Sequence, residues 1–402
     1  MKKILFVLPG FPYPAHKNGM AIRYLPVIDH LHKTCEVDLL ILAEDFSQAE
    51  LEALSARVNS VSVIPRSKPA SAGLLDKAKE AIALLLPGTP PLSHKFSYDH
   101  PHVNAELKRQ VVDKDYDRIV WVSAWYGAYL KQIAASVGKD KLVLDFIDSP
   151  YLRATRNVIR TFGNESLQRY ENIKTRQWER QLAGLVSRVC YISEVDAEAI
   201  ADRDKLAKTH VIPNGIYLAE HSEQGDASVT GPAIGFLGNM SYPPNVDAVL
   251  WFYQEVFVKL KAQHGDLTFY IIGKDPLPNI QALGQNEGVH VTGFVENIWP
   301  LVNAMTLFAL PIRQGAGLKN KVLETLYSRK PVLTTEIGNE GIDAVHGEHV
   351  YICDTADDYQ GSIEKILGAE HQGREIGERA RRYVEENFSW KGVLTKFEQF
   401  IL

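Results

Sequence analysis

Gly315-Ala316-Gly317-Leu318-Lys319-Asn320-Lys321-Val322-Leu323-Glu324 follows the apolar run Leu307 to Leu310 and leads into a helical pattern. A glycine pair where a strand passes into a helix lets the backbone approach an anion and turns free N–H groups toward it. Lys319 and Lys321 bring positive charge to that helix start, and Arg313 stands just ahead of it. Glu324, one turn further, is placed to accept hydrogen bonds from sugar hydroxyls. The same residues also fit a plain strand-to-helix turn with solvated lysines. They make neither a Walker A loop, which needs Gly-Lys-Ser/Thr, nor a dinucleotide fingerprint, which needs a third glycine.

Outward from this stretch, short apolar runs alternate with helical patterns along nearly the whole chain. Toward the N-terminus, strands are expected at Ile4 to Leu8, Glu36 to Leu42, Val61 to Ile64, Arg118 to Val122, Lys141 to Phe146 and Arg188 to Ile192. After a polar stretch from Tyr217 to Gly231 the alternation restarts with Ala233 to Leu237 and helix Val246 to Lys261. It continues through Leu267 to Ile272, Val289 to Thr292, Leu307 to Leu310, helix Leu318 to Tyr327, Pro331 to Thr334 and His349 to Ile352. All-apolar strands separated by helices favour parallel sheets covered on both faces. The expectation is α/β: two doubly wound domains, residues 1–217 and 232–387, with 218–231 as linker. Ligands gather beyond the C-terminal ends of such strands, so two facing sheets suit a two-substrate cleft.

The composition narrows the function. The chain has 402 residues, 45% of them hydrophobic and 23% charged, with a net charge of -5. The apolar fraction excludes disorder, and the charge gives no reason to expect nucleic acid as a partner. Three scattered cysteines (Cys35, Cys190, Cys353) make no disulfide framework and suit a reducing cytoplasm. No apolar run approaches the roughly 20 residues that span a bilayer. Met1 to Leu8 begins like a signal peptide, but Pro9-Gly10 ends the run without a small-residue cleavage site, so a first strand is expected.

Further short motifs fall in a set order. They are Ile212-Pro213-Asn214-Gly215, Gly235-Phe236-Leu237-Gly238-Asn239-Met240, Tyr242-Pro243-Pro244-Asn245, Tyr270-Ile271-Ile272-Gly273 and His290-Val291-Thr292-Gly293-Phe294-Val295. After the glycine loop come Leu323-Glu324-Thr325-Leu326-Tyr327, Pro331-Val332-Leu333-Thr334-Thr335, Gly338-Asn339-Glu340-Gly341 and Phe388-Ser389-Trp390. Each is weak alone. In this order they resemble the donor half of the retaining GT-B glycosyltransferases, glycosyltransferase family 4, of the type that builds bacterial surface polysaccharide. The resemblance is strong over residues 185 to 402 and holds in outline before them. It implies the GT-B fold, with the last helix (388–402) crossing back to the first domain.

The resemblance implies a donor site of Gly238, Asn239, Gly273, Val295, Arg313, Gly315, Ala316, Gly317, Leu318, Lys319, Lys321 and Glu324, with Gly19 contributed by the first domain and Arg23 behind it. Glu324 matches the second glutamate of the family's Glu–seven residues–Glu motif, a ribose ligand; the first falls on Ala316. The basic pair expected after the Gly238 strand is replaced by Tyr242-Pro243-Pro244-Asn245, which shifts phosphate neutralisation to Lys319, Lys321 and Arg313. Where the family has a histidine, Ser123-Ala124-Trp125-Tyr126 stands. Asp148, after Leu144-Asp145-Phe146-Ile147, is the nearest polar candidate at a strand end and joins Lys319 as a catalytic assignment; a helix N-cap is its other reading.

The activity implied is metal-independent hexosyl transfer, with retention, from a UDP- or GDP-sugar to a glycan or lipid-linked hydroxyl, with no cofactor. A nucleotide-sugar 2-epimerase or a catalytically silent GT-B scaffold are the alternatives. Asp113-Lys114-Asp115 and Asp202-Arg203-Asp204 imitate a metal-holding Asp-x-Asp but read as solvated turns, and His100 and His102 lack metal partners at helical spacing. Residues 66–96 carry an apolar helical face beside Lys77 and Lys79. They suit a peripheral contact with the inner membrane, the lining of a lipid-linked acceptor site, or a core helix followed by a proline loop. Arg153, Arg156, Arg160, Arg169, Lys174, Arg176 and Arg180 form a basic stretch expected to be a solvated helix face, or to meet anionic lipid or an acceptor phosphate.

Overall fold

The computed structural model describes the chain except residues 16, 44–45, 66–88, 92–100, 157–162, 201–206 and 217–228. Two compact units emerge: Met1–Asn214 together with Trp390–Leu402, and Gly215–Ser389. Most of the stretch expected to link them lies outside the described residues.

The first unit is built on seven strands: β1 (Lys3–Leu8), β2 (Glu36–Leu42), β3 (Ser60–Ile64), β4 (Arg118–Val122), β5 (Leu142–Ile147), β6 (Arg188–Tyr191) and β7 (Lys208–Val211). They form one parallel sheet in the order β3-β2-β1-β4-β5-β6-β7. The inner strands are apolar without alternation because both faces are covered; Ile4, Leu5, Phe6, Val7 and Leu8 are all buried. β7 was not anticipated. Lys-Thr-His-Val is a sheet-edge strand with little apolar signal of its own.

Helix α1 (Gly19–Leu31) starts where the Asn18 side chain accepts the Ala21 N–H at 2.9 Å. Four residues in, Arg23 is fully buried, its Nε donating to Asp145 at 2.9 Å and its Nη1 to the Ile212 carbonyl and Asn214 Oδ1 at 3.0 and 2.9 Å. Tyr24 donates to the same Asp145 carboxylate at 2.6 Å. The guanidinium also lies 4.7 Å from the ring centroid of Phe397, in the C-terminal helix Trp390–Ile401. Removing one partner from so fully paired a buried charge is strongly destabilising, because the other is left buried and unpaired.

After β5 come helices α2 (Pro150–Thr155) and α3 (Glu165–Gly184). The expected solvated basic face is only partly solvated: Gln168, Glu171, Lys174, Trp178 and Glu179 of α3 turn inward. Lys174 Nζ donates to Thr89 at 2.9 Å, and Glu179 accepts from Ser149 Oγ and the Tyr151 N–H, each at 3.0 Å. Burial pushes the Glu179 carboxyl up to about 8.

The second unit repeats the scheme with β8 (Ala233–Leu237), β9 (Thr268–Ile272), β10 (Val289–Gly293), β11 (Leu307–Leu310), β12 (Val332–Thr334) and β13 (Tyr351–Ile352). The six are parallel, in the order β10-β9-β8-β11-β12-β13. The helices of this unit include α4 (Pro243–Phe252), α5 (Asn320–Tyr327), α6 (Ala356–Gly368) and α7 (Glu370–Asn387), of which α4 and α5 matter below. Both units are therefore doubly wound and Rossmann-like, as the alternation of runs implied. In each, the strand order reverses between two central strands, β1 and β4 or β8 and β11. The loops leaving their C-terminal ends diverge there and open a crevice.

Candidate functional site

The glycine loop emerges at the reversal point of the second unit, from the end of β11. Gly315 has φ +138 and Gly317 φ +71, conformations that side-chain-bearing residues rarely adopt. Lys319 is extended (φ -94, ψ 92), so α5 begins at Asn320, two residues later than the periodicity of the sequence implied. The loop folds Lys319 back on itself. Its ammonium donates to the Gly317 carbonyl at 2.6 Å and lies 3.5 Å from the Glu340 carboxylate, with 7% of the lysine side chain exposed.

Lys321 points from α5 to the loop after β8. Its Nζ donates to Asn245 Oδ1, and the Asn245 amide donates onward to the Asn239 carbonyl at 2.8 Å. Asn239 Oδ1 in turn accepts from the Ser241 N–H and hydroxyl, both at 2.8 Å. Lys321 thus brings an ammonium to the Gly238–Asn245 loop, where the sequence lacks a basic pair of its own. Burial, with Lys319 close by, pushes Lys321 down to about 7, although the side chain keeps some solvent contact. Burial raises Glu324 to about 7 against the opposing pull of Lys321.

Gly273 closes this group from β9. A Cβ there would lie 1.8 Å from the Gly238 carbonyl, so the ends of β8 and β9 meet backbone to backbone. Gly238, Asn239, Gly273, Lys321 and, through α5, Glu324 are therefore brought together, beside the Gly315–Lys319 loop at the reversal point. Arg313 is held differently: it makes two contacts with Asp247 of α4, at 3.1 and 2.6 Å, and sits 5.3 Å from the Trp251 ring centroid on an exposed face. Val295 follows β10, which is separated from β8 by β9. Two residues that the sequence reading gave no role, Asn245 and Glu340, turn out to hold the two lysines. In the sequence Asn245 stands where a cation is expected, and nothing in its neighbours announces a partner 76 residues away.

In the first unit, Gly19 opens α1 on the surface, and a Cβ there would meet nothing within 4 Å. The fold itself makes no demand for glycine at that position. The preceding loop is pinned by Phe11 stacked on Phe46 at 4.9 Å and by Lys17 bonded to Glu50 at 2.8 Å. Asp148 does not cap α2; Ser149 does, and Asp148 pairs with Arg153 at 3.4 Å. Ser123 (φ +69) and Ile147 (φ +67) hold positive φ at the ends of adjacent strands β4 and β5. Such strain collects where a backbone is shaped for a ligand.

Of the two Asp-x-Asp stretches, Asp113-Lys114-Asp115 is described. Asp115 is solvated and pairs with Lys141 at 2.7 Å. Asp202-Arg203-Asp204 and His100 lie outside the described residues, as does 66–96 apart from residues 89–91. Among the described residues no group of three or more His, Cys, Asp or Glu is placed to hold a metal. No helix among them is long and apolar enough to cross a membrane.

Residues 231–369, which contain this site, match the family model described as glycosyl transferases group 1. A curated relative from Klebsiella pneumoniae, an uncharacterized 44.6 kDa protein in the cps region, is 21% identical over 418 residues, 98% of each chain. Similar solved structures include sucrose-phosphate synthase from Thermosynechococcus elongatus, with TM-score 0.70 and 15% identity over 99% of this chain and 98% of that one. Anabaena HepE, crystallised with UDP and glucose, has TM-score 0.66 and 16% identity over 99% of each chain. WaaG, a glycosyltransferase involved in lipopolysaccharide biosynthesis, has TM-score 0.64 and 14% identity, again over 99% of each. At such identities the likeness establishes the fold, and the fold is GT-B. Together with the family match it supports a glycosyltransferase.

Proposed function

We propose that this protein transfers a sugar from a nucleotide-diphosphate donor to a hydroxyl acceptor with retained anomeric configuration, in the synthesis of a surface polysaccharide or related glycoconjugate. One observation carries the reading. A glycine loop at the reversal point of the second sheet opens a helix and is armed with Lys319 and Lys321, inside the segment that matches the glycosyltransferase model. Relatives add direction: HepE structures hold UDP and UDP-glucose, WaaG works in lipopolysaccharide synthesis, and the Klebsiella relative is encoded in a cps region.

The chemistry follows from charge. Breaking the bond from the anomeric carbon to the phosphate oxygen leaves positive charge on the ring and negative charge on the departing diphosphate. The loop N–H groups, the start of α5 and the two ammonium groups stabilise that negative charge without a metal ion. The acceptor oxygen bonds on the same face as the leaving group, and the leaving phosphate oxygen takes its proton, so no carboxylate base is needed. Asp148, Gly19 and the strained ends of β4 and β5 belong to the acceptor side. We assign the reaction to the cytoplasm, at the inner membrane face where the acceptor is lipid-linked.

A thermal-shift screen of UDP, GDP and their sugars tests the donor site, since a ligand that binds only the native state raises apparent stability. Product analysis then separates the readings. Transfer that survives a chelator and appears only with acceptor supports this one. Release of free nucleoside diphosphate without acceptor would indicate an epimerase, and absence of any nucleotide binding would indicate a silent scaffold.

A further inference from the structure

We propose that Glu340 reads the sugar of the donor: its carboxylate accepts hydrogen bonds from the sugar hydroxyls and keeps the Lys319 ammonium on the diphosphate side of the loop. The inference rests on the donor site proposed above and names a residue within it. Position 316, inside the glycine loop, is alanine and offers no hydrogen-bonding side chain. The fold brings a carboxylate to the loop from another strand. After β12, Thr335 caps the short turn Glu336–Asn339 by accepting the Gly338 N–H at 2.9 Å. Gly338 packs so tightly that a Cβ would lie 2.0 Å from Thr334 Oγ1. This turn fixes where the chain leaves it, and Glu340 ends 3.5 Å from Lys319 Nζ with 17% of its side chain exposed.

A carboxylate beside a phosphate-binding lysine works against phosphate, because it repels the anion and shares the cation. It makes chemical sense where the ligand also has hydroxyl donors. Glu340 meets two surroundings. It pairs with the lysine that donates to the Gly317 carbonyl, and it lines a cavity of about 510 Å³ with Glu336, Asn339, Asp343, His346, Ile352 and Asp354. Those carboxylates disfavour phosphate and favour hydroxyls. Glu340 therefore marks the boundary between the part of the donor that must be neutralised and the part that must be hydrogen-bonded.

The test is calorimetric titration of the full-length protein and its Glu340→Gln variant. The probes are UDP with UDP-glucose, UDP with UDP-N-acetylglucosamine, and GDP with GDP-mannose; the pair that wild type binds most tightly is then carried forward. The amide is isosteric, and circular dichroism checks that the variant folds. The expected result is a nucleoside diphosphate affinity within about threefold of wild type. The affinity for the matching nucleotide sugar falls about tenfold or more, about the loss expected when one hydrogen bond to a charged group is removed. Parallel loss of both affinities would overturn the proposal and make Glu340 a support for Lys319 only. Unchanged affinity for both would also overturn it. If wild type bound none of the probes, the donor-site reading itself would fail, an outcome distinct from either.

Discussion

Lys319 is nearly buried in a fold that gives it no apolar task, and that combination makes it the most exacting single residue of the site. Its charge is held by a carbonyl and a carboxylate rather than released to solvent. In the proposed reaction, replacing it with alanine removes a donor to the departing diphosphate, and one such donor is worth on the order of a hundredfold to a thousandfold in turnover. We expect Lys319→Ala to lower kcat by about that factor in protein that circular dichroism shows to be folded; near-normal turnover would refute the phosphate assignment. Lys321 makes a pH prediction. Burial and Lys319 bring it down to about 7, whereas a bound diphosphate favours its ammonium form. Binding therefore takes up a proton above pH 7. The affinity for a nucleotide sugar, whose two phosphates each keep one charge over this range, should be level below about pH 6 and weaken progressively above 7. Lys321→Arg, with its charge fixed, should remove the part of the slope that Lys321 contributes, and Lys321→Arg combined with Glu324→Gln, which removes the other group near 7, should flatten the curve between pH 6 and 9; titrations at four pH values decide it.

Gly273 ties an element to the site. It ends β9 with φ +147, and its backbone lies against the Gly238 carbonyl, so both strand ends are set by a contact that tolerates no side chain. Gly273→Ala must separate β8 from β9 at their C-terminal ends, just where Asn239 and Asn245 hold Lys321. We expect a loss on the order of 4 kcal/mol or insoluble protein, read by urea unfolding, because a backbone clash cannot be relieved by a rotamer change. The strands themselves were legible, since an inner parallel strand is an apolar run and its identity survives without knowledge of its neighbours. β7 was not, because an edge strand such as Lys208–Val211 needs only half the apolar cover. α5 starts two residues later than its hydrophobic spacing implies for a local reason: the positive φ of Gly317 and extended Lys319 delay the helix, while the spacing marks only its buried face. The glycine loop and its lysines could be read from the sequence because they are contiguous. Asn245 and Glu340 could not be assigned, because their roles arise from pairings across strands. The inward turn of Glu171, Lys174 and Glu179 on α3 was hidden for a similar reason, since charge on a helix reads as solvent-facing until its partners are known.

The whole molecule is organised by a chain that leaves the first unit at Asn214 and returns to it at Trp390. Ile216 pairs with Ser389, and its N–H donates to the Phe388 carbonyl at 2.8 Å, so the outgoing and returning segments run side by side. The last helix then buries Trp390, Val393, Phe397, Phe400 and Ile401 in the first unit. Phe400 lies against His210 at 5.3 Å, the Ile401 carbonyl accepts from Arg118 Nε at 3.0 Å, and Phe397 covers Arg23. Five buried apolar side chains are worth on the order of 10 kcal/mol, as much as the net stability of an ordinary domain. Removing residues 390–402 also uncovers the Arg23–Asp145 pair, whose burial depends on that helix. The first unit should therefore lose its cooperative fold although 214 of its residues remain untouched. The second unit should keep its own. Hydrogen exchange on the truncated chain separates the two outcomes. Peptides from β1 to β7 should exchange within the shortest labelling time while those from β8 to β13 stay protected, and nucleotide should still slow exchange in 315–324. Equal loss of protection in both sheets would mean that the units fold as one, and that the C-terminal helix stabilises the donor half as well.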